Sequence, residues 1–164
     1  MIKHDVRKIQ PDESVAIDTT VEIAMPRGFD ATDTAVAVVG RLKNAGGGHF
    51  ELDLDVRCQF AAVCSRCLMP VEHKLSFHVN ERFVEDEGLS VDEGEDFGFS
   101  DHTIDIFPAV QRNLLLNMPM KSLCDEDCAG LCKQCGKNLN EGDCGCEGEI
   151  VNEQFRDLLQ HFSD

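Results

Sequence analysis

The sequence has no tryptophan and no tyrosine, so aromatic packing rests on its ten phenylalanines. It is also poor in positive charge. Fifteen Lys and Arg stand against 31 Asp and Glu, a formal net charge of −16. Nucleic-acid binders use basic patches to displace counterions from phosphates, so a chain this acidic is repelled from RNA or DNA at long range. A basic protein partner suits the charge better. No run of the chain is long and apolar enough to span a membrane, and the opening MIKHDVRKIQPDES lacks the apolar stretch of a secretory signal. These absences lead to the expectation of a cytoplasmic protein. There is no Walker loop, no H-x-E…P-C-x-x-C deaminase pattern and no grouping of Ser, His and Asp. The six histidines (4, 49, 73, 78, 102 and 161) are scattered.

What the chain does have is cysteine. Six of its nine cysteines fall between Cys124 and Cys146, in CDEDCAGLCKQCGKNLNEGDCGC. Cys132 and Cys135 form a C-x-x-C followed by Gly136, and Cys144 and Cys146 form a C-x-C around Gly145. Two close pairs on tight, glycine-relieved turns, joined by a short loop, supply the four thiolates of a tetrahedral zinc site. Cys124 and Cys128 add a further pair that one closed zinc cannot also use. A disulfide framework would need an oxidising compartment, and an odd number of cysteines leaves one unpaired.

Along the chain, residues 1–14 show no pattern. Val15, Ile17, Val21 and Ile23 alternate and predict a strand over 15–23, ended by Pro26-Arg27-Gly28. The β-branched run 34–42 predicts a second. After the turn signal Asn44-Ala45-Gly46-Gly47-Gly48, Phe50, Leu52, Leu54, Val56 and Cys58 alternate without a fault, so the two strands should form a half-buried hairpin. Cys64-Ser65-Arg66-Cys67 interrupts the pattern, which resumes with Val71, Leu75, Phe77, Val79 and Phe83. Three readings stand for this C-x-x-C: a redox dithiol, half of a metal site, or two small residues in a turn. A redox dithiol wants its first Cys at a helix N-terminus, whereas Pro70 and a strand follow here. His73, in phase with Leu75 and Phe77, reads as a satisfied core histidine.

Residues 85–101 carry eight acidic side chains and no Lys or Arg, and predict a flexible acidic loop. Asp105 can cap a helix that Pro108 suits in its first turn and Pro119 ends, with Ile106, Phe107, Val110, Leu114, Leu115 and Met118 as its apolar stripe. Val151, Phe155, Leu158, Leu159 and Phe162 mark a second, C-terminal helix. The expected fold is α+β: an antiparallel sheet, curled into a small barrel or sandwich, packed with the helix over 105–118. The domain split is 1–120, containing the acidic loop, and 121–164, a Cys-rich zinc module with the terminal helix.

Three of these motifs together resemble the YceD family, bacterial and plastid proteins described as large ribosomal RNA subunit accumulation proteins. They are C-S-R-C-L at 64–68, N-L-L-L-N-M-P at 113–119, and C-D-E-D-C-A-G-L-C-K-Q-C-G-K-N-L-N with its later C-G-C. The likeness runs over about residues 10–146. Lys133 departs from it, standing where the family usually has proline. The resemblance implies a non-enzymatic factor in large-subunit biogenesis. Shorter members keep the earlier C-x-x-C and a later Cys/His pair without the tail. That implies two structural zinc sites here: Cys132, Cys135, Cys144 and Cys146, and separately Cys64, Cys67, Cys124 and Cys128. Cys58 is left as a core residue. The implied partner is a ribosomal precursor or a basic large-subunit ribosomal protein, with Arg66, Lys133 and Lys137 as contacts, to RNA included. A thiol redox protein using Cys64 and Cys67, or a zinc-handling protein, are the alternatives.

Overall fold

A computed structural model describes residues 1–25, 34–85 and 96–146. Among these residues seven strands and one α-helix follow in order: β1 (Lys3–Asp5), β2 (Ser14–Ile23), β3 (Thr34–Gly46), β4 (His49–Val63), β5 (Pro70–Glu85), β6 (Phe97–Phe99), β7 (Thr103–Asp105) and α1 (Phe107–Asn117). A 3-10 turn spans Leu139–Glu141. The chain divides into two compact units, Met1–Ala62 with Glu72–Met120, and Val63–Val71 with the chain from Lys121 onward. Among the described residues no helix is long and apolar enough to cross a membrane.

The first unit is built on a five-stranded sheet of order β2-β3-β4-β5-β6. β2 and β3 pair antiparallel from Ser14–Lys43 to Ile23–Thr34. β3 and β4 form the expected hairpin, with a register shift between Asn44 and Gly46 where the strands turn. Alternation along β4 is carried straight into burial. Phe50, Leu52, Leu54, Val56, Cys58, Phe60 and Ala62 are all buried, and the residues between them face outward. Each large side chain hidden this way contributes about 1.5–3 kcal/mol. Cys58 lies in this core, as its phase implied.

The sheet is mixed and open. β2 and β6 are its two edges, so among the described residues it closes into no barrel. Part of the acidic segment is not loop: Phe97–Phe99 is a strand, paired parallel with β5 through Phe83–Phe97 and Glu85–Phe99. Phe97 stacks on Phe83 at 5.2 Å, and Phe99 meets Phe50 edge-on at 5.5 Å. These aromatic contacts anchor a stretch that composition marks as polar. Most of the rest of that segment, like the expected C-terminal helix, lies outside the described residues. The opening residues are patterned after all. β1 pairs antiparallel with β7, Lys3 opposite Asp105, and Val6 and Ile9 join the core.

Helix α1 begins one residue later than expected, with Ile106 at the N-cap. Asp105 still serves the helix start, because its carboxylate accepts the amides of Phe107 and Ile2 at 3.0 Å each. Ile106, Val110 and Leu114 are buried. Leu115 is 49 % exposed and stands outside the core: at 100° per residue it is turned away from the face that Leu114 occupies. His73 is half-buried and stacks on Phe60 at 5.3 Å, but its Nε2 is buried without a partner among the described residues, so it is not the satisfied histidine expected.

Candidate metal centres

The second unit contains the same backbone turn twice. At the end of β4 the Cys64 amide donates to the Met69 carbonyl at 2.8 Å, and the Leu68 amide donates back to the Cys64 carbonyl at 3.0 Å. In the tail the Cys132 amide donates to Lys137 O at 2.8 Å, and the Gly136 amide to Cys132 O at 2.9 Å. Both turns need a left-handed residue directly after the second cysteine. Gly136 takes φ +75° there, and Leu68 takes φ +60°. Each C-x-x-C is thus a knuckle that presents two sulfurs to one side.

Each knuckle meets one further cysteine pair, and two sets of four sulfurs result. Cys64, Cys67, Cys124 and Cys128 form an inner centre; Cys132, Cys135, Cys144 and Cys146 form an outer one. Within each set every sulfur lies within 4.8 Å of the others. Cys64 Sγ is 3.8 Å from Cys128 Sγ, and Cys67 Sγ is 3.5 Å from Cys124 Sγ. A disulfide requires about 2.05 Å. Four thiolates around zinc at about 2.3 Å stand about 3.8 Å apart. The donor set and spacing therefore fit a tetrahedral, thiolate-bound metal, and the soft sulfur ligands suit zinc.

The two centres differ in cover. Cys64, Cys67 and Cys128 are buried and only Cys124 is exposed, with Val71, Leu123 and Leu131 half-buried around them. In the outer centre Cys132 and Cys144 are half-buried, while Cys135 and Cys146 are exposed. Their electrostatics run in parallel. Amide hydrogen bonds, that of Cys67 foremost, bring the Cys64 thiol down to about 6. The amides of Cys135 and Gln134 bring Cys132 down to about 6. Cys124 and Cys146 are pushed up to about 12, chiefly because each shares a hydrogen bond with a knuckle thiol, Cys67 and Cys135 respectively. In each set the first cysteine of the knuckle is thus the thiol that backbone amides favour as an anion, and Cys124 or Cys146 is the one that holds its proton more tightly. A divalent cation displaces such protons on binding.

The three basic residues singled out from the sequence have different roles at these centres. Arg66 directs Nη1 at the carbonyls of Glu126 (3.0 Å) and Cys128 (2.9 Å), clasping the inner centre's second cysteine pair. Lys137 Nζ donates to Asp143 O at 2.8 Å, inside the outer loop. Lys133 is exposed on the outer knuckle. Sequence reasoning missed Asn140. Its Nδ2 donates to Cys128 Sγ at 3.2 Å and brings that thiol's pKa down. The one sequence hint is the pair of asparagines in Asn138-Leu139-Asn140, amides well suited to bonding nearby backbone.

Uncharacterized proteins Rv2926c of Mycobacterium tuberculosis and Mb2951c of Mycobacterium bovis are each 33 % identical over 100 residues, 59 % of this chain and 48 % of theirs. YlbN of Bacillus subtilis, also uncharacterized, is 26 % identical over 120 residues, 71 % of this chain and 69 % of its own. The chain thus spans about half the length of the mycobacterial relatives it matches. No solved structure matches it. Residues 52–160, which take in both C-x-x-C knuckles and the helix between them, match the profile described as large ribosomal RNA subunit accumulation protein YceD, and the chain belongs to that family.

Proposed function

We propose that this protein is a non-catalytic factor in large ribosomal subunit biogenesis that supports accumulation of the large-subunit ribosomal RNA. The observation that carries this reading is the family match over residues 52–160. In this reading it works in the cytoplasm by engaging a ribosomal precursor through a basic large-subunit protein, which the net charge of −16 favours. Each centre holds one structural zinc. Four clustered thiolates saturate a tetrahedral ion and leave no open position for substrate, and that supports a structural over a catalytic role. The same clustering counts against a redox dithiol at Cys64 and Cys67, since both are buried and share their surroundings with two further thiols. Lys133, exposed on the outer knuckle, is the basic side chain we put forward for a contact with partner or RNA.

The test is affinity capture from the native cell, with and without ribonuclease, together with ribosomal RNA levels after depletion. The expected result is a basic large-subunit protein retained after ribonuclease, and less large-subunit RNA in depleted cells. Loss of capture on ribonuclease treatment would make RNA the primary contact. Recovery of neither, with ribosomal RNA unchanged, would overturn the reading and favour thiol redox or zinc handling.

A further inference from the structure

The loop that joins the two cysteine pairs of the outer centre folds back onto the inner one. Leu139 N–H donates to Gly130 O at 2.8 Å, and Leu131 bridges to Asn138. Asn138 caps the 3-10 turn by accepting the Asn140 amide. The Asn140 side chain is then held at both ends. Its Oδ1 accepts the Ala129 amide at 2.7 Å, and its Nδ2 donates to Asn138 Oδ1 at 2.8 Å and to Cys128 Sγ at 3.2 Å. The Ala129 donor sets which way the amide faces, because a backbone N–H can bond only the oxygen. Asn140 thus stands in the sequence between Cys135 and Cys144 of the outer centre, while its amide touches a sulfur of the inner centre.

We propose that Asn140 couples the two centres, so that metal in the outer centre tightens the hold of the inner centre on its own. The proposal rests on the reading that both centres hold zinc. Four thiolates around one divalent ion leave a net charge of −2, and at the inner centre three of the four cysteines are buried. Excess negative charge is costly where water is excluded, and a donor aimed at sulfur offsets it. That donor is held in place only while its loop is ordered. Metal bound by Cys132, Cys135, Cys144 and Cys146 pins the loop at both ends. Linkage is reciprocal, so a filled inner centre also favours filling the outer one.

The experiment uses the full chain loaded with zinc, exposed to a competing chelator. The readout is the rate at which Cys64, Cys67 and Cys128 become alkylated, followed by peptide mass spectrometry. Asn140→Ala is expected to speed exposure of these three cysteines by about 10-fold or more, the usual effect of removing a partner that supports a metal ligand. Asn140→Asp should speed it further, because a carboxylate repels the thiolate. The double variant Cys144→Ser/Cys146→Ser should loosen the inner centre by a similar factor, and adding Asn140→Ala to it should change little more. Cobalt substitution checks that the inner centre keeps its tetrahedral thiolate spectrum in every variant. Unchanged exposure in Asn140→Ala, or losses that multiply fully when the variants are combined, would overturn the coupling while leaving the zinc reading intact. Absence of any metal in the unaltered protein by native mass spectrometry would overturn both.

Discussion

The two units of this chain bury different kinds of side chain. The first buries a continuous set of large apolar side chains, Leu42, Leu52, Leu54, Phe83, Phe97, Ile104, Ile106 and Leu114 among them, each with less than 2 % of its surface exposed or close to it. In the second, the buried cluster among the described residues consists of Cys64, Cys67 and Cys128, with Val71, Leu123 and Leu131 half-covered beside it. Ordering a backbone costs about 1–2 kcal/mol per residue. Three small thiols and three partly covered aliphatic side chains cannot offset that for the segment from Lys121 to Cys146. A structural zinc site, with an apparent binding free energy of ~10–16 kcal/mol, can. With zinc bound as proposed, the chain would change its source of stability from one unit to the other.

The largest expected effect separates the two sources. On the proposal that each centre holds one zinc, Cys67→Ser removes one inner ligand, so native mass spectrometry should find one ion instead of two. Amide exchange over residues 121–131 should then lose most of its protection, while the strands β2 to β5 keep theirs. Protection that persists over 121–131 without the metal would show that packing holds the second unit, and the contrast would collapse. A smaller effect is expected from the other side. Leu54 is fully buried, and Leu54→Ala should cost about 2–5 kcal/mol of stability through lost transfer energy and a residual cavity. Urea unfolding of the strands should shift to lower concentration with two zinc ions still bound at the start of the titration. Zinc lost in step with the strands would mean that the units do not stand on separate supports.

How much of this was legible in the sequence follows the same division. The long strands announce themselves because alternation in β4 repeats over seven buried positions, a signal local to the chain. β1 did not, because three residues reading Lys-His-Asp carry no period, and their partner lies at Thr103–Asp105. β6 was hidden by its acidic neighbours: its two buried phenylalanines matter only once Phe83 and Phe50 are brought beside them. The outer four cysteines are legible from spacing, since 15 residues hold both pairs. The inner four are not, because Cys64 and Cys128 are 64 positions apart and meet only through the fold. Asn140 is still less visible, since its role depends on a loop returning to a centre that the loop does not belong to.

The smallest effect tests whether the two knuckles are one device. Each needs a left-handed residue after its second cysteine, yet one uses Gly136 and the other Leu68. A left-handed non-glycine residue costs about 1–2 kcal/mol, and the Leu68 side chain, 62 % exposed, recovers little of that through burial. Leu68→Gly relieves the strain but gives the unfolded chain more freedom, which takes back about 0.5–1 kcal/mol. The net expectation is a gain of up to about 1 kcal/mol, read as up to about fivefold slower zinc loss from the inner centre. At Gly136 a Cβ would meet nothing within 4 Å, so Gly136→Ala adds backbone strain without a clash. It should weaken the outer centre by about the same factor. Opposite signs at the two positions would establish that both knuckles depend on the same backbone turn. Weakening at both would mean that Leu68 is kept for its side chain, and an exposed leucine beside a buried metal centre would then be the first place to look for a partner.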